Sequence, residues 1–256
     1  MTHSGSPELA LAGPPVMELR VCHLYGDVMC IYGDRGNVLA LRRRAEWRNI
    51  VVSVETVSIG DRLDPERFDL FFFGGGQDAQ QDLVAEDLRG PNGGALRRAL
   101  AGGAAMLSVC GGYQLLGHFY RPFEGPELPG LGVLDVHTVA GRIRFIGNVL
   151  AAGEETLVGF ENHSGRTYLG AGATPLARVI VGVGNNGEDG TEGAVQGKVI
   201  GTYLHGSLLP KNPWLADRLI AWGLARRHGE VALAPLDDAV ENGAREAAIA
   251  IARARR

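Results

Sequence analysis

Residues 104–117 read Ala-Ala-Met-Leu-Ser-Val-Cys-Gly-Gly-Tyr-Gln-Leu-Leu-Gly, and this stretch decides the fold. The apolar run 104–109 has the length and composition of a strand that is buried on both faces. Cys110 follows with two glycines behind it, and the segment 113–120 then has a helical pattern. A strand that turns sharply into a helix at a side chain followed by glycines is typical of a nucleophile elbow.

The chain on either side of this elbow predicts an α/β fold. In the first half, short apolar runs alternate with amphipathic patterns, which is typical of βαβ units around a mostly parallel sheet. The predicted strands there are 19–24, 50–57 and 69–73, and the predicted helices are 37–49, 94–100 and one after the glycines 74–76. From about residue 122 the runs have period two, which predicts strands without intervening helices. Those strands are 131–137, 143–150, 156–160, 176–183 and 198–204, and helices are predicted at 213–227 and 237–256.

The domain organisation follows from the same patterns. We expect a flexible N-terminal tail over residues 1–17, one main domain over 18–230 and a helical C-terminal tail over 231–256 that lies on the body or on a partner. The first 17 residues lack the basic start and apolar core of a signal peptide. No apolar run has the roughly 18 residues that a membrane span needs, so we expect no membrane insertion.

Composition and charge exclude several classes of function. The 256 residues carry a net charge of −4, which gives no global field for nucleic acid. Three cysteines without a C-x-x-C pair make neither a disulfide framework nor a thiolate metal site, so we expect no metal and a cytoplasmic location. The chain has no G-x-x-x-x-G-K-[ST] phosphate-binding loop, so ATP-dependent chemistry is expected elsewhere.

Cys110 is the candidate nucleophile because its glycine neighbours permit the sharp turn and because a helix N-terminus favours its thiolate form. An ordinary buried cysteine is the alternative, and it is the interpretation we give to Cys22 and Cys30. His205 follows the predicted strand 198–204 and is therefore expected at the same sheet edge as Cys110. His163 and His118 are the alternative bases, His118 being placed on the helix after the elbow.

Four segments carry a resemblance to a known family. They are Tyr-Gly-Asp-Arg-Gly-Asn at 32–37, Cys-Gly-Gly-Tyr-Gln at 110–114, Gly-Phe-Glu-Asn-His-Ser-Gly-Arg-Thr-Tyr at 159–168 and Gly-Thr-Tyr-Leu-His-Gly at 201–206. Their types and order resemble class I, triad-type glutamine amidotransferases, in the branch that includes cobyric acid synthase glutaminase domains. Over roughly residues 18–230 the chain is similar to GatD-type glutaminase subunits. The resemblance implies a flavodoxin-like class I amidotransferase fold.

The resemblance also implies an activity and a partner. The chain would hydrolyse L-glutamine to glutamate and ammonia through a cysteine thioester. It would form a heterodimer with a Mur-ligase-like subunit, MurT, which would hold ATP and Mg²⁺ and amidate the D-glutamate of lipid II to D-isoglutamine in peptidoglycan biosynthesis. Through that complex the chain would reach lipid II at the inner face of the membrane. The alternatives are ammonia supply to another acceptor, such as a corrinoid carboxylate, and a catalytically silent binding subunit.

Site residues follow from the same match. Cys110 would be the nucleophile and His205 the base and acid. The backbone N–H groups of Gly111 and of the triplet 74–76, most plausibly that of Gly75, would bind the oxyanion. Arg144 falls at the glutamine-binding arginine of GatD-type subunits, with Arg142 as the alternative, and Gln114 either lines the same pocket or has a packing role.

One position departs from the triad pattern. Most triad-type amidotransferases have a glutamate two residues after the histidine, and here that residue is Ser207. A histidine without a carboxylate to orient it is a weaker base. We therefore expect the partner to supply a carboxylate across the interface. Asp34 is the alternative within the chain, although capping the helix predicted at 37 is its simpler role.

Overall fold

The computed structural model describes residues 17–206 and 208–254. The predicted tail 1–17 therefore lies outside the described residues except for Met17, and Ser207 and residues 255–256 also lie outside them. The predicted domain boundaries remain predictions.

The structure has strands and helices in the order expected of an α/β fold. The strands are β1 Glu18–Leu24, β2 Val51–Val57, β3 Leu70–Phe73, β4 Ala105–Val109, β5 Phe119–Arg121, β6 Leu128–Pro129, β7 Val136–Ala152, β8 Thr156–Leu169, β9 Ala177–Val181, β10 Thr191–Glu192, β11 Ala194–Gln196 and β12 Val199–Thr202. The helices are α1 Arg35–Glu46, α2 Asp78–Arg89, α3 Pro91–Ala101, α4 Gly111–Leu116, α5 Leu208–Lys211, α6 Pro213–His228 and α7 Ala239–Ala254.

The central sheet has the strand order β11-β12-β4-β3-β1-β2, and all of its pairs are parallel except β11 with β12. Strands β3 and β4 are completely buried, as expected for parallel strands covered by helices on both faces. Because the strands run in one direction, the segments after β1, β3, β4 and β12 all leave the sheet at one edge. That edge brings Asp34, the glycines 74–76, Cys110 and His205 into one region.

A second sheet is built around the long antiparallel hairpin of β7 and β8 and contains β5, β6, β9 and β10. It joins the central sheet beside His205, whose backbone N–H donates to the Phe160 carbonyl at 2.9 Å. The Glu161–Leu204 bridge lies next to this bond. The strand-rich second half thus forms one wall of the region where the central strands end.

Several predicted elements are wrong in extent, and the strands predicted at 143–150 and 156–160 are parts of the longer β7 and β8. The helix predicted at 113–120 ends at Leu116, and residues 119–121 form β5, so His118 does not lie on a helix. A Cβ at Gly117 would come within 2.6 Å of the Val136 carbonyl oxygen, and this close approach of two backbones stops the helix. The strand predicted at 131–137 begins only at Val136, because the N–H groups of Leu131 and Val133 bond to carbonyls of α4 instead of to a neighbouring strand.

The C-terminal helix α7 lies on the body of the protein. Its Ala252 is buried with Leu150 of β7 and Val158 of β8. Among the described residues, no helix combines the length and the apolar character that crossing a bilayer would require.

An ion-pair cluster ties α1 to the C-terminal third of the chain. The Arg44 guanidinium is nearly buried and reaches Asp217 at 2.7 Å and Asp238 at 2.5 Å. Arg48 contacts the same Asp217 at 2.6 Å. Removing one partner from a buried ion pair leaves the other charge uncompensated, which costs more than losing an exposed pair.

We expect Arg44→Ala to lower the free energy of unfolding by about 2 to 3 kcal/mol, because Asp238 loses its cation and Asp217 keeps only Arg48. Arg42→Ala, on the exposed face of the same helix, removes only a surface pair with Glu46 and is expected to cost under about 1 kcal/mol. Urea unfolding followed by circular dichroism measures both values. Equal losses for the two variants would contradict a structural role for the cluster.

Candidate active site

The backbone at Cys110 has the geometry predicted for an elbow. Cys110 has φ 51° and ψ −109°, a backbone conformation that residues other than glycine rarely adopt. Its N–H donates to the Thr202 carbonyl at 2.9 Å, which ties the turn to the end of β12. A Cβ at Gly112 would lie 2.8 Å from the carbonyl oxygens of Phe73 and Gly74, so only glycine fits behind the elbow. The surrounding backbone therefore holds Cys110 in a strained conformation.

The elbow opens into a cavity of about 270 Å³ that contains the predicted residues Cys110, Gln114 and Arg144. Residues from several segments complete its wall, among them Tyr32, Gly76, Gln81, Tyr120, Asn162 and Ser164. Cys110 is only 7% exposed, so the cavity gives a small molecule access to a thiol that is otherwise buried.

His205 lies beside Cys110. A Cβ at Gly75 would be 3.0 Å from His205 Cε1 and 3.3 Å from Cys110 Cβ, so the two side chains adjoin the same point. The two residues, which are far apart in sequence, are thus brought together as predicted. Tyr32 packs edge-on against the imidazole, with ring centroids 4.8 Å apart.

Asp34 also lies beside the imidazole. Its Oδ1 is 3.5 Å from His205 Nδ1, and neither side chain has more than 1% of its surface exposed. Burial lowers the pKa of His205, but Asp34 and Cys110 outweigh this effect and raise it from 6.5 to about 10. The site therefore favours a charged imidazolium beside the Asp34 carboxylate near neutral pH.

The predicted oxyanion donors have different surroundings. Gly111 is the first residue of α4, where a helix leaves its N–H without an intrahelical acceptor. The geometry does not support Gly75 as the second donor, because its N–H donates to Asp34 Oδ2 at 2.8 Å. Gly76 lines the cavity, and its N–H has no acceptor within residues 17–206 and 208–254. Within the glycine triplet, the backbone N–H that is free to bind an oxyanion is thus that of Gly76 rather than that of Gly75.

The structure separates the two candidate arginines. Arg144 lines the cavity, where its Nε donates to Asn162 Oδ1 at 2.6 Å and one Nη lies 3.5 Å from the Tyr32 hydroxyl. Arg142 instead lies over the ring of Phe123, 5.4 Å from its centroid. Only Arg144 can therefore reach a molecule in the cavity.

Gln114 lines the cavity and also belongs to a buried hydrogen-bond network. Its Oε1 accepts from Gln81 Nε2 at 2.8 Å, and its Nε2 donates to the Tyr203 hydroxyl at 3.2 Å. Tyr203 in turn is 2.7 Å from Thr167 Oγ1. Gln114 thus both lines the cavity and has a structural role, since the network fixes the amide that faces the cavity.

The other candidates occupy different environments. His163 lines the cavity, but its ring stacks on Tyr203 at a centroid distance of 3.5 Å, and burial lowers its pKa. His118 is outside the cavity and pairs with Asp135 at 2.8 Å. Burial raises the pKa of both Cys22 and Cys30, neither of which lines the cavity.

Sequence reasoning missed Tyr32, Gln81 and Asn162 as parts of the wall. Tyr32 and Asn162 fall inside two of the motif segments, 32–37 and 159–168, so those segments carried the signal. Gln81 is on α2, and only the polar run after the glycine triplet pointed to that helix. No cluster of three or more His, Cys, Asp or Glu side chains suited to a metal ion occurs in the described part of the chain.

The arrangement has the parts for acyl transfer through a thiol: a cysteine at an elbow, a histidine 3.5 Å from a carboxylate, and backbone N–H groups without acceptors. A crystal structure of a glutamine amidotransferase from Thermotoga maritima superposes with a TM-score of 0.51 at 16% identity, covering 91% of this chain and 94% of that one. The fold is thus that of class I glutamine amidotransferases, as predicted.

The chain belongs to the CobB/CobQ-like glutamine amidotransferase domain family, whose profile matches residues 20–213. A relative from Streptococcus pneumoniae is 40% identical over 217 residues, which cover 83% of each chain. A relative from Staphylococcus aureus is 40% identical over 215 residues, covering 82% of this chain and 86% of the relative. Both are GatD subunits of glutamine-hydrolysing lipid II isoglutaminyl synthase. The predicted GatD-type relationship is confirmed.

Asp34→Asn is expected to lower the pKa of His205 from its value of about 10, because the variant removes the negative charge beside Nδ1. Since the folded-state pKa is above 6.5, the stability that this group adds is fully present below pH 6.5 and is lost as pH rises through 10. The NMR titration of the imidazole, assigned with His205→Gln, measures the shift. An unchanged titration would rule out Asp34 as the charge partner, and Asp27→Asn, on an exposed loop, is the matched control.

Proposed function

We propose that the chain is the glutamine-hydrolysing subunit of a lipid II isoglutaminyl synthase. It hydrolyses L-glutamine to glutamate and ammonia through a thioester on Cys110, and it passes the ammonia to a Mur-ligase-like partner. The observation that carries this proposal is that His205 adjoins Cys110, whose side chain lines a cavity together with Arg144. The two relatives are GatD subunits of glutamine-hydrolysing lipid II isoglutaminyl synthases, and this supports the substrate and the acceptor.

The reaction begins with proton transfer from the Cys110 thiol to His205. The negative charge of Asp34 raises the pKa of His205 and so stabilises the imidazolium that this proton transfer forms. The thiolate attacks the side-chain amide carbon of glutamine, and the carbonyl oxygen becomes an oxyanion. His205 then returns its proton to the departing ammonia, which leaves a glutamyl thioester.

The oxyanion needs donors that already point at it. We assign this role to the N–H groups of Gly111 and Gly76, since the N–H of Gly75 is bound to Asp34. A single such donor is worth about 2.7 to 4 kcal/mol in the transition state. Water then attacks the thioester, with His205 as the base, and releases glutamate.

Asp34 takes the third place of the triad in this proposal. It is buried, it faces His205 Nδ1 at 3.5 Å, and its other oxygen is held by Gly75. Such contacts are often long before substrate binds and shorten in the reacting complex. A carboxylate from the partner, which the Ser207 position led us to expect, is then not needed to orient the histidine.

The acceptor reaction belongs to the partner. We propose a heterodimer in which the MurT-like subunit holds ATP and Mg²⁺ and amidates the D-glutamate α-carboxyl of lipid II to D-isoglutamine. The location that fits this role is the cytoplasm, with lipid II reached at the inner membrane face through the partner. No residue of this chain is assigned to ATP.

Cys110→Ala is expected to lower glutamine hydrolysis by at least about 10³-fold, because the reaction loses its nucleophile. Cys30→Ala, which removes a thiol outside the cavity, is expected to retain activity. Glutamate release from the purified chain, alone and with its partner, measures both. Full activity in Cys110→Ala, or in His205→Ala, would end the assignment of the site.

The complex should transfer ¹⁵N from amide-labelled glutamine to lipid II when ATP and Mg²⁺ are present. Cys110→Ala should abolish this transfer but leave amidation from added ammonia intact, because only the ammonia source is lost. Mass spectrometry of the stem peptide detects the label. Label in a corrinoid carboxylate instead of lipid II would favour the other acceptor. Glutamine-dependent amidation that survives in Cys110→Ala would favour a silent binding subunit.

A further inference from the structure

The wall of the cavity carries two opposite formal charges. Among the described residues that line it, Arg144 is the cation and Asp78 is the carboxylate. His163, the other titratable nitrogen base of the wall, is buried with a lowered pKa and is therefore neutral near pH 7. The cavity thus presents one guanidinium and one carboxylate to whatever occupies it.

Asp78 has no partner that explains its position. It is the first residue of α2, yet α2 has no side-chain cap, and Asp78 is exposed. Its carboxylate makes no hydrogen bond or ion pair with residues 17–206 or 208–254. A negative charge favours a helix N-terminus in general, but that interaction does not require the side chain to line a cavity.

Tyr120 connects Asp78 to the reacting end of the site. Burial raises the pKa of Tyr120, the charges of Asp78 and Cys110 raise it further, and Arg144 opposes them. Asp78, Cys110 and Arg144 line the same cavity as this phenol, whereas Asp82, which also raises its pKa, does not line it. A molecule bound in this cavity with its amide carbon at Cys110 therefore shares the cavity with both charges.

Free glutamine is a zwitterion with a carboxylate and an ammonium on the same carbon atom. The guanidinium of Arg144 matches the carboxylate. We propose that Asp78 binds the α-ammonium of the substrate and so makes the cavity selective for free L-glutamine over glutamine whose α-nitrogen is acylated or absent. This inference rests on the proposed glutaminase function and extends it to the substrate's second charge.

The cavity volume agrees with selectivity for a free amino acid. At about 270 Å³ it is slightly below the range of about 300 to 1,000 Å³ that is usual for drug-sized ligands. A glutamine residue inside a peptide has an amide in place of the ammonium. It would leave Asp78 without a counter-charge and would also have to fit its flanking residues into this space.

The test uses two chloroketones that differ only at the α-carbon: L-2-amino-5-chloro-4-oxopentanoate and its deamino analogue, 5-chloro-4-oxopentanoate. In each, the Cys110 sulfur forms a bond to the chloromethyl carbon and chloride leaves with the bonding electrons. Mass spectrometry of the full chain, alone and with its partner, gives the two labelling rates. Asp82→Asn is the matched control, since Asp82 is exposed on the same helix but does not line the cavity.

We expect the wild type to react faster with the amino probe, and Asp78→Asn to reduce this preference by about tenfold or more while the rate with the deamino probe is maintained. Asp82→Asn should keep the wild-type preference. If glutamine protects Cys110 but Asp78→Asn keeps the preference, the role of Asp78 is wrong and the glutaminase function stands. If glutamine does not protect Cys110 from either probe, the proposed function and this inference both fail.

Discussion

The whole site depends on the left-handed backbone at Cys110. At φ 51° the chain can leave β4 and enter α4 within one residue, which lifts the sulfur out of the sheet. Several close contacts make this conformation the one that fits: the bond from Cys110 to Thr202, and the approach of Gly112 to the carbonyls of Phe73 and Gly74. The strain at the cysteine is therefore balanced by packing between neighbouring parallel strands.

Buried hydrogen bonds also fix the end of β12. Glu192 is completely buried, and one of its oxygens accepts from the Thr202 hydroxyl at 2.5 Å and from the Tyr203 N–H at 2.9 Å. Burial raises the pKa of Glu192 to about 7, although these two bonds oppose the shift. The carboxyl thereby fixes the segment that leads to His205. On the other side the Phe160 carbonyl holds the His205 N–H, so both sheets fix the position of the imidazole.

In the proposed reaction, the site divides its charges between chemistry and recognition. Asp34 and His205 are buried beside the sulfur, where their interaction is little screened by water. Arg144 and Asp78 are exposed along the wall, where a charged amino acid can enter and displace solvent. This separation lets the reacting groups keep a fixed geometry while the recognition groups remain accessible.

The sequence by itself determined the α/β class, the elbow at Cys110 and the likeness of four motifs to an amidotransferase family, because strand periodicity and glycine spacing are local properties. It did not determine the extent of α4, which ends where Gly117 meets the backbone of Val136. Only the tertiary structure decided that Asp34 faces His205 and that Arg144 rather than Arg142 reaches the cavity. It also decided that the N–H of Gly75 is bound to Asp34 while the N–H of Gly76 has no acceptor among the described residues. These are contacts between segments far apart in the chain, and they exist only because parallel strands end at one edge of the sheet.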